Sequence, residues 1–104
     1  MWLVYVAYFF GGAFLTNAIP HFVSGLMGRA FQSPFAKPLG VGISSSTVNV
    51  LWGFFNFVVG YVLVSYVGSF DARSFDSIAV GLGALVMAVV LARVFGRLNG
   101  GNSP

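Results

Sequence analysis

The chain has 104 residues, of which 58% are hydrophobic and only 7% charged. A soluble domain ordinarily carries about a quarter charged residues and leaves much of a short chain's surface in water, so this composition points to a bilayer as the solvent. Five basic and two acidic residues give a formal net charge of +3, too few and too scattered for a nucleic-acid surface, and the lack of cysteine removes disulfides, thiolate metal sites and thiol nucleophiles.

The first expected element is a membrane span over residues 2–19. The run from Trp2 to Ile19 carries no charge and, as a helix, reaches about 27 Å, just enough for a hydrocarbon core. Met1-Trp2-Leu3 lacks a basic leader and Ala18-Ile19-Pro20 is a poor cleavage site, so this run is expected to remain in the mature protein. Tyr5, Tyr8, Gly12 and Thr16 share one side of it.

Pro20 suits the first turn of a new helix. Beyond it, Phe22, Val23, Leu26, Met27, Ala30 and Phe31 fall at helical spacing, opposite His21, Ser24, Gly25, Gly28 and Gln32. This pattern predicts a short amphipathic helix over residues 20–32, lying at the membrane interface or tucked re-entrantly against the bundle. Residues 33–46 contain Pro34 and Pro38 and are expected to form an extended loop, with the Ser44–Thr47 run capping the next helix.

A second span is expected over residues 47–67 and a third over 77–97. In the second, Asn49, Gly53, Asn56 and Gly60 follow at steps of four, three and four, which places them on one face. In the third, Gly81, Ala84 and Ala88 form a comparable small face, extended by Ser77 and Ala92. Small residues of this kind, Gly12, Gly53 and Gly60 included, let membrane helices approach closely. The short link between these spans offers Ser74 or Asp76 as a helix cap. The tail, residues 99–104, is expected to be disordered. The runs are too long, and alternate too little, for strands or an outer-membrane barrel. The fold class is thus an all-α integral membrane protein, one membrane domain over 1–104, with three transmembrane helices plus the amphipathic helix in the first connection.

Three spans put Arg29 and Lys37 on the same side as Arg93 and Arg97, opposite Arg73. The positive-inside rule then places the first connection and the carboxyl terminus in the cytoplasm and the amino terminus outside, in a multi-pass protein of the cell (inner) membrane.

The residues with chemical potential gather at one junction. Thr16, Asn17 and His21 stand where the first span ends, and antiparallel packing brings Asn49 of the second span beside them with Asn56 below; Trp52 is a further candidate for ligand contact. An amide in hydrocarbon needs a partner. The group therefore reads either as a hydrogen-bonded clasp or as a small polar pocket that binds a lipid-like or small polar ligand. Trp52 with Phe54, Phe55 and Phe57 reads as packing surface or as a slot for an isoprenoid or acyl chain. One histidine cannot make an ordinary zinc site, though it can supply an axial haem ligand, or two across a symmetric dimer. Gly40-Val41-Gly42 and Gly81-Leu82-Gly83 are fragments without nucleotide-loop context, and no G-x-S-x-G elbow occurs. The expected function is non-enzymatic and needs no cofactor: an oligomeric or accessory membrane subunit whose partners are lipids, copies of itself or a larger membrane complex, and not nucleic acid. A minimal dimeric transporter or channel with the Asn49/Gly53/Asn56/Gly60 face lining its path is the first alternative. A haem- or quinone-associated subunit using His21 is the second.

Overall fold

A computed structural model describes residues 2–103 of the chain. Its elements in order are α1 (Leu3–Leu26), β1 (Phe31–Gln32), β2 (Ile43–Ser44), α2 (Ser46–Ser65) and α3 (Phe75–Asn99). Each of the three helices is long and apolar enough to cross a membrane.

α1 runs straight through Pro20. Proline lacks an N–H and so frees the carbonyl four residues back, that of Thr16. Membrane helices tolerate this where neighbouring elements surround the break. What ends α1 is Gly28, at φ +72°. The Gly28 N–H donates to the Gly25 carbonyl at 3.0 Å and the Arg29 N–H to the Ser24 carbonyl at 2.9 Å, the paired bonds of a Schellman cap. The separate helix expected over 20–32 is therefore not formed: residues 20–26 belong to α1, and Phe31 and Gln32 belong to a strand.

That strand changes the loop as well. β1 pairs antiparallel with β2, Phe31 opposite Ser44 and Gln32 opposite Ile43, and the Ser33 N–H donates to the Gly42 carbonyl at 3.2 Å. Ser33 Oγ and Ser44 Oγ share a hydrogen bond of 2.5 Å. Residues 31–44 are thus a small hairpin-like flap, with a cis Lys37–Pro38 peptide at its far end, rather than an open extended loop.

The other helix ends follow from capping chemistry. Ser45 caps α2 by accepting from the Val48 N–H, and Ser74 caps α3 by accepting from the Asp76 N–H. Asp76 Oδ2 accepts from the Asp71 N–H and Asp71 Oδ1 from the Arg73 N–H, so both carboxylates shape the α2–α3 turn. α3 stops at Gly100, φ +85°, and the Asn102 amide donates back to the Arg93 carbonyl at 2.8 Å. Asn99, the first residue of the tail expected to be disordered, is the last residue of α3, and Pro104 lies outside the described residues.

α1 is the central element. α2 packs antiparallel to it on one side, α3 parallel to it on another, and the two outer helices scarcely meet. Along the α2 seam, a Cβ on Gly53 would strike the Phe22 backbone and one on Gly60 the Leu15 side chain. Along the α3 seam, a Cβ on Gly12 would strike the Val80 carbonyl and one on Gly83 the Phe9 carbonyl. The polarity of the interior is inverted relative to a soluble protein. Asn49, Asn56 and His21 are buried, while Leu51, Phe54, Leu82, Leu85 and Val89 are exposed. α3, the most apolar span, has Gly83 as its only buried residue. Such a surface is stable only against an apolar solvent.

Candidate functional site

The pole where α1 ends, α2 begins and α3 ends holds the polar cluster. Asn49 is fully buried there. Its Nδ2 donates to three backbone carbonyls: Phe31 of β1 at 3.1 Å, Ser44 of β2 at 3.2 Å and Ser45 at 3.1 Å. One amide thus ties both strands of the flap to the first turn of α2. Because those carbonyls fix which way the amide faces, Asn49 Oδ1 is the atom that meets His21 Nδ1 at 2.9 Å. Oδ1 can only accept, so Nδ1 carries the proton, and a neutral ring keeps its lone pair on Nε2. Two turns deeper, Asn17 Nδ2 donates to Asn56 Oδ1 at 3.0 Å, and Asn56 Nδ2 donates to the Trp52 carbonyl at 2.7 Å. Every buried asparagine amide in the cluster is partnered.

The His21 ring sits in an aromatic collar drawn from every layer of the fold. Phe31 of the flap, Trp52 of α2 and Phe95 of α3 all meet it edge-on, with ring centroids 5.7, 6.3 and 5.9 Å away. Phe31 and Phe95 also meet one another at 4.8 Å, which brings the end of α3 into the cluster without any hydrogen bond.

Beside the clasp lies a cavity of about 220 Å3 between the flap and the helices, lined by Asn17, His21, Gln32, Ser33, Trp52 and Phe95 among others. None of its lining residues is charged. Two buried polar side-chain atoms in the described structure have no hydrogen-bond partner, Gln32 Oε1 and Trp52 Nε1. Both belong to residues that line this cavity, and Gln32 is only 7% exposed. Leaving such atoms unpaired is costly, and native structures leave few of them. The cavity is therefore where the pole's hydrogen-bonding capacity is unspent.

Two further hollows flank it. An apolar slot of about 600 Å3 is formed by Phe35, Val48, Leu51, Trp52 and Phe55, and Trp52 is a wall of both hollows. A larger open groove of about 740 Å3 runs between α1 and α3, past Thr16, Ile19, Arg29, Ala88 and Ala92.

Of the residues singled out in the sequence, Asn17, His21, Asn49, Trp52 and Asn56 come together. Thr16 does not; it faces the α1–α3 groove. Gly12, Gly53 and Gly60 sit in helix seams, and the Ala84 backbone lies close to Gly12. Gly81 faces open space and Ala88 is exposed, so the α3 side of the seam is made by Gly83 and the backbone of Val80 and Ala84. Gln32, Ser33 and Phe95 were not identified from sequence. The helical pattern over 20–32 puts Gln32 on the polar side of a helix that does not form, and no spacing in the sequence marks Phe95 as a neighbour of His21. Among the described residues, no group of three or more His, Cys, Asp or Glu side chains could hold a metal ion. Comparison with known proteins finds no matching family model, no similar curated protein and no similar solved structure.

Proposed function

We propose that this chain is a multi-pass protein of the cell (inner) membrane that works without catalysis, as an oligomeric or accessory subunit, by holding a small polar or lipid-like ligand at the His21 pole. The observation that carries the reading is the contrast between two adjacent groups. The asparagine–histidine clasp satisfies itself, whereas the cavity beside it keeps a buried acceptor on Gln32 and a buried donor on Trp52 without partners. A pocket with few, fixed polar groups in apolar surroundings is the usual form of a small-molecule site. The clasp then serves to hold the flap, and with it Gln32, over the pocket.

In this reading the pole faces the cytoplasm, because Arg29, Lys37, Arg93 and Arg97 gather there and Asp71 and Asp76 lie at the other end. The Asn49/Gly53/Asn56/Gly60 face supports a seam better than a conduction path. These are the buried residues of α2, and Phe22 and Leu15 of α1 fill the space over the two glycines.

The Trp2→Phe variant leaves Trp52 as the only tryptophan, so its 15N-labelled indole N–H gives one resonance. Delipidated protein titrated with total polar lipid from the expression host is expected to show a saturable shift of that resonance, lost in Gln32→Leu. An indole signal that stays fixed throughout the titration would remove the ligand site. For topology, the chain has no native cysteine. Lys37→Cys should react with an impermeant maleimide only from the cytoplasmic face and Arg73→Cys only from the outer face, and the reverse pattern would invert the protein. A cysteine at 56, where the native side chain is already accommodated, should be protected, and its labelling in intact membranes would restore the channel reading.

A further inference from the structure

Resting on that reading of the pocket, we infer that the ligand is an uncharged amphiphile with a hydroxyl-bearing head, its head in the Gln32/Trp52 cavity and its chain in the aromatic slot. Three observations combine. First, two unpartnered polar atoms belong to residues that line the head site, the donor Trp52 Nε1–H and the acceptor Gln32 Oε1. A hydroxyl donates and accepts through one atom, so a head with two hydroxyls can answer both kinds. It does so whichever way the Gln32 amide is turned.

Second, no Asp, Glu, Lys or Arg lines the cavity. A charged head would enter with nothing to offset its desolvation, which selects against phosphate, carboxylate and ammonium groups. Third, an apolar slot adjoins the head site, with Trp52 in the lining of both. Phe55 stacks on Trp52 at 5.7 Å and Phe35 meets it edge-on at 5.1 Å. Val48 and Leu51 complete the slot. A cavity of about 220 Å3 holds a head of a few heavy atoms, and the slot gives its chain a place to lie on the outside of α2.

The test uses the single-tryptophan protein in nanodiscs and defined probes. These are 1-monooleoylglycerol, methyl oleate (the same chain without hydroxyls), glycerol (the head without a chain) and the anionic lipid phosphatidylglycerol. Monooleoylglycerol is expected to shift the Trp52 indole resonance saturably, at a mole fraction at least tenfold below any of the other three. Gln32→Leu should abolish the preference for monooleoylglycerol over methyl oleate while leaving the melting temperature near that of the parent. Phe55→Ala should weaken monooleoylglycerol and leave glycerol unchanged. Methyl oleate acting as well as the monoester would overturn the head assignment, glycerol acting as well would overturn the chain assignment, and phosphatidylglycerol acting best would overturn the neutral class. A response to total lipid extract but to none of the neutral probes would also overturn the ligand class and leave the site standing. No response to either would remove the site itself.

Discussion

α1 makes two seams, and they are built on different physics. Against α2 it combines close backbone approach at Gly53 and Gly60 with two side-chain hydrogen bonds, His21–Asn49 and Asn17–Asn56. Against α3 no side-chain hydrogen bond joins it among the described residues, and the helices meet through Gly12 and Gly83, with Phe95 on the His21 ring at one end. Lipid tails are as apolar as the helix surfaces, so neither seam has a hydrophobic drive of the aqueous kind. The α2 seam is fixed in register by directional bonds, and a one-residue slip would break both at once. The α3 seam is fixed only by shape. The difference bears on the cavity at the His21 pole, which is roofed by the flap that the directional seam secures.

The shape-only seam should break most severely at its tightest point. Gly83→Leu drives side-chain atoms into the Phe9 carbonyl and is expected to cost about 3 kcal/mol, the upper end of the range for overpacking. Gly81→Leu, two residues away with open space around it, should stay within about 0.5 kcal/mol, as surface changes do. Unfolding by SDS titration in mixed micelles measures both. Equal losses at the two glycines would mean that α3 sits on α1 by a different face.

The directional seam breaks differently. Asn49→Ala strips a hydrogen-bond donor from three carbonyls and an acceptor from His21. Loss of about 2 kcal/mol is expected, the cost of leaving buried polar partners unmet. His21→Ala should lose less, and the double variant should fall short of the sum by about 0.6–1.7 kcal/mol, the range of coupling found between membrane helices. Strict additivity would show that the two residues do not share a network. Amide exchange of residues 31–44 should rise in Asn49→Ala and stay unchanged in Gly81→Leu, which separates release of the flap from general loosening.

The three long apolar helices are legible in the sequence because length and absence of charge mark a helix able to cross a membrane. The Asn49 face is legible as well, since a period of 3.6 is a property of one helix alone. The pairing of His21 with Asn49 followed from antiparallel threading. The end of α1 is not legible at Pro20, because a proline that suits the start of a helix can also stand inside a long apolar one, and the stop is Gly28, which takes the αL conformation. The flap is invisible in the sequence because ten residues separate Gln32 from Ile43 in a strand pair only two residues long, far outside the tight-turn rules that expose hairpins. The pocket depends on that flap, so Gln32 could not be found without it. Gly81 and Gly83 differ by a rotation about the α3 axis that composition does not encode.

Within the directional seam the smallest effect is expected at the deeper hydrogen bond, and it tests whether depth or connectivity sets the strength of the clasp. Asn56 is fully buried and lies two turns farther into the span than Asn49, which by desolvation alone would make its pair the stronger. Connectivity argues the other way. Asn56 Nδ2 is satisfied within its own helix by the Trp52 carbonyl at 2.7 Å, and Asn17 is only partly buried. Asn17→Ala therefore orphans a single acceptor, Asn56 Oδ1, where Asn49→Ala disconnects two strands and a histidine. A loss of about 0.6 kcal/mol is expected, the average for an interhelical hydrogen bond in a membrane, with no change in flap exchange. If Asn17→Ala instead cost as much as Asn49→Ala, burial depth would dominate, and the flap would be held chiefly by the Phe31–Phe95 and Trp52–Phe35 ring contacts rather than by the asparagine at its base.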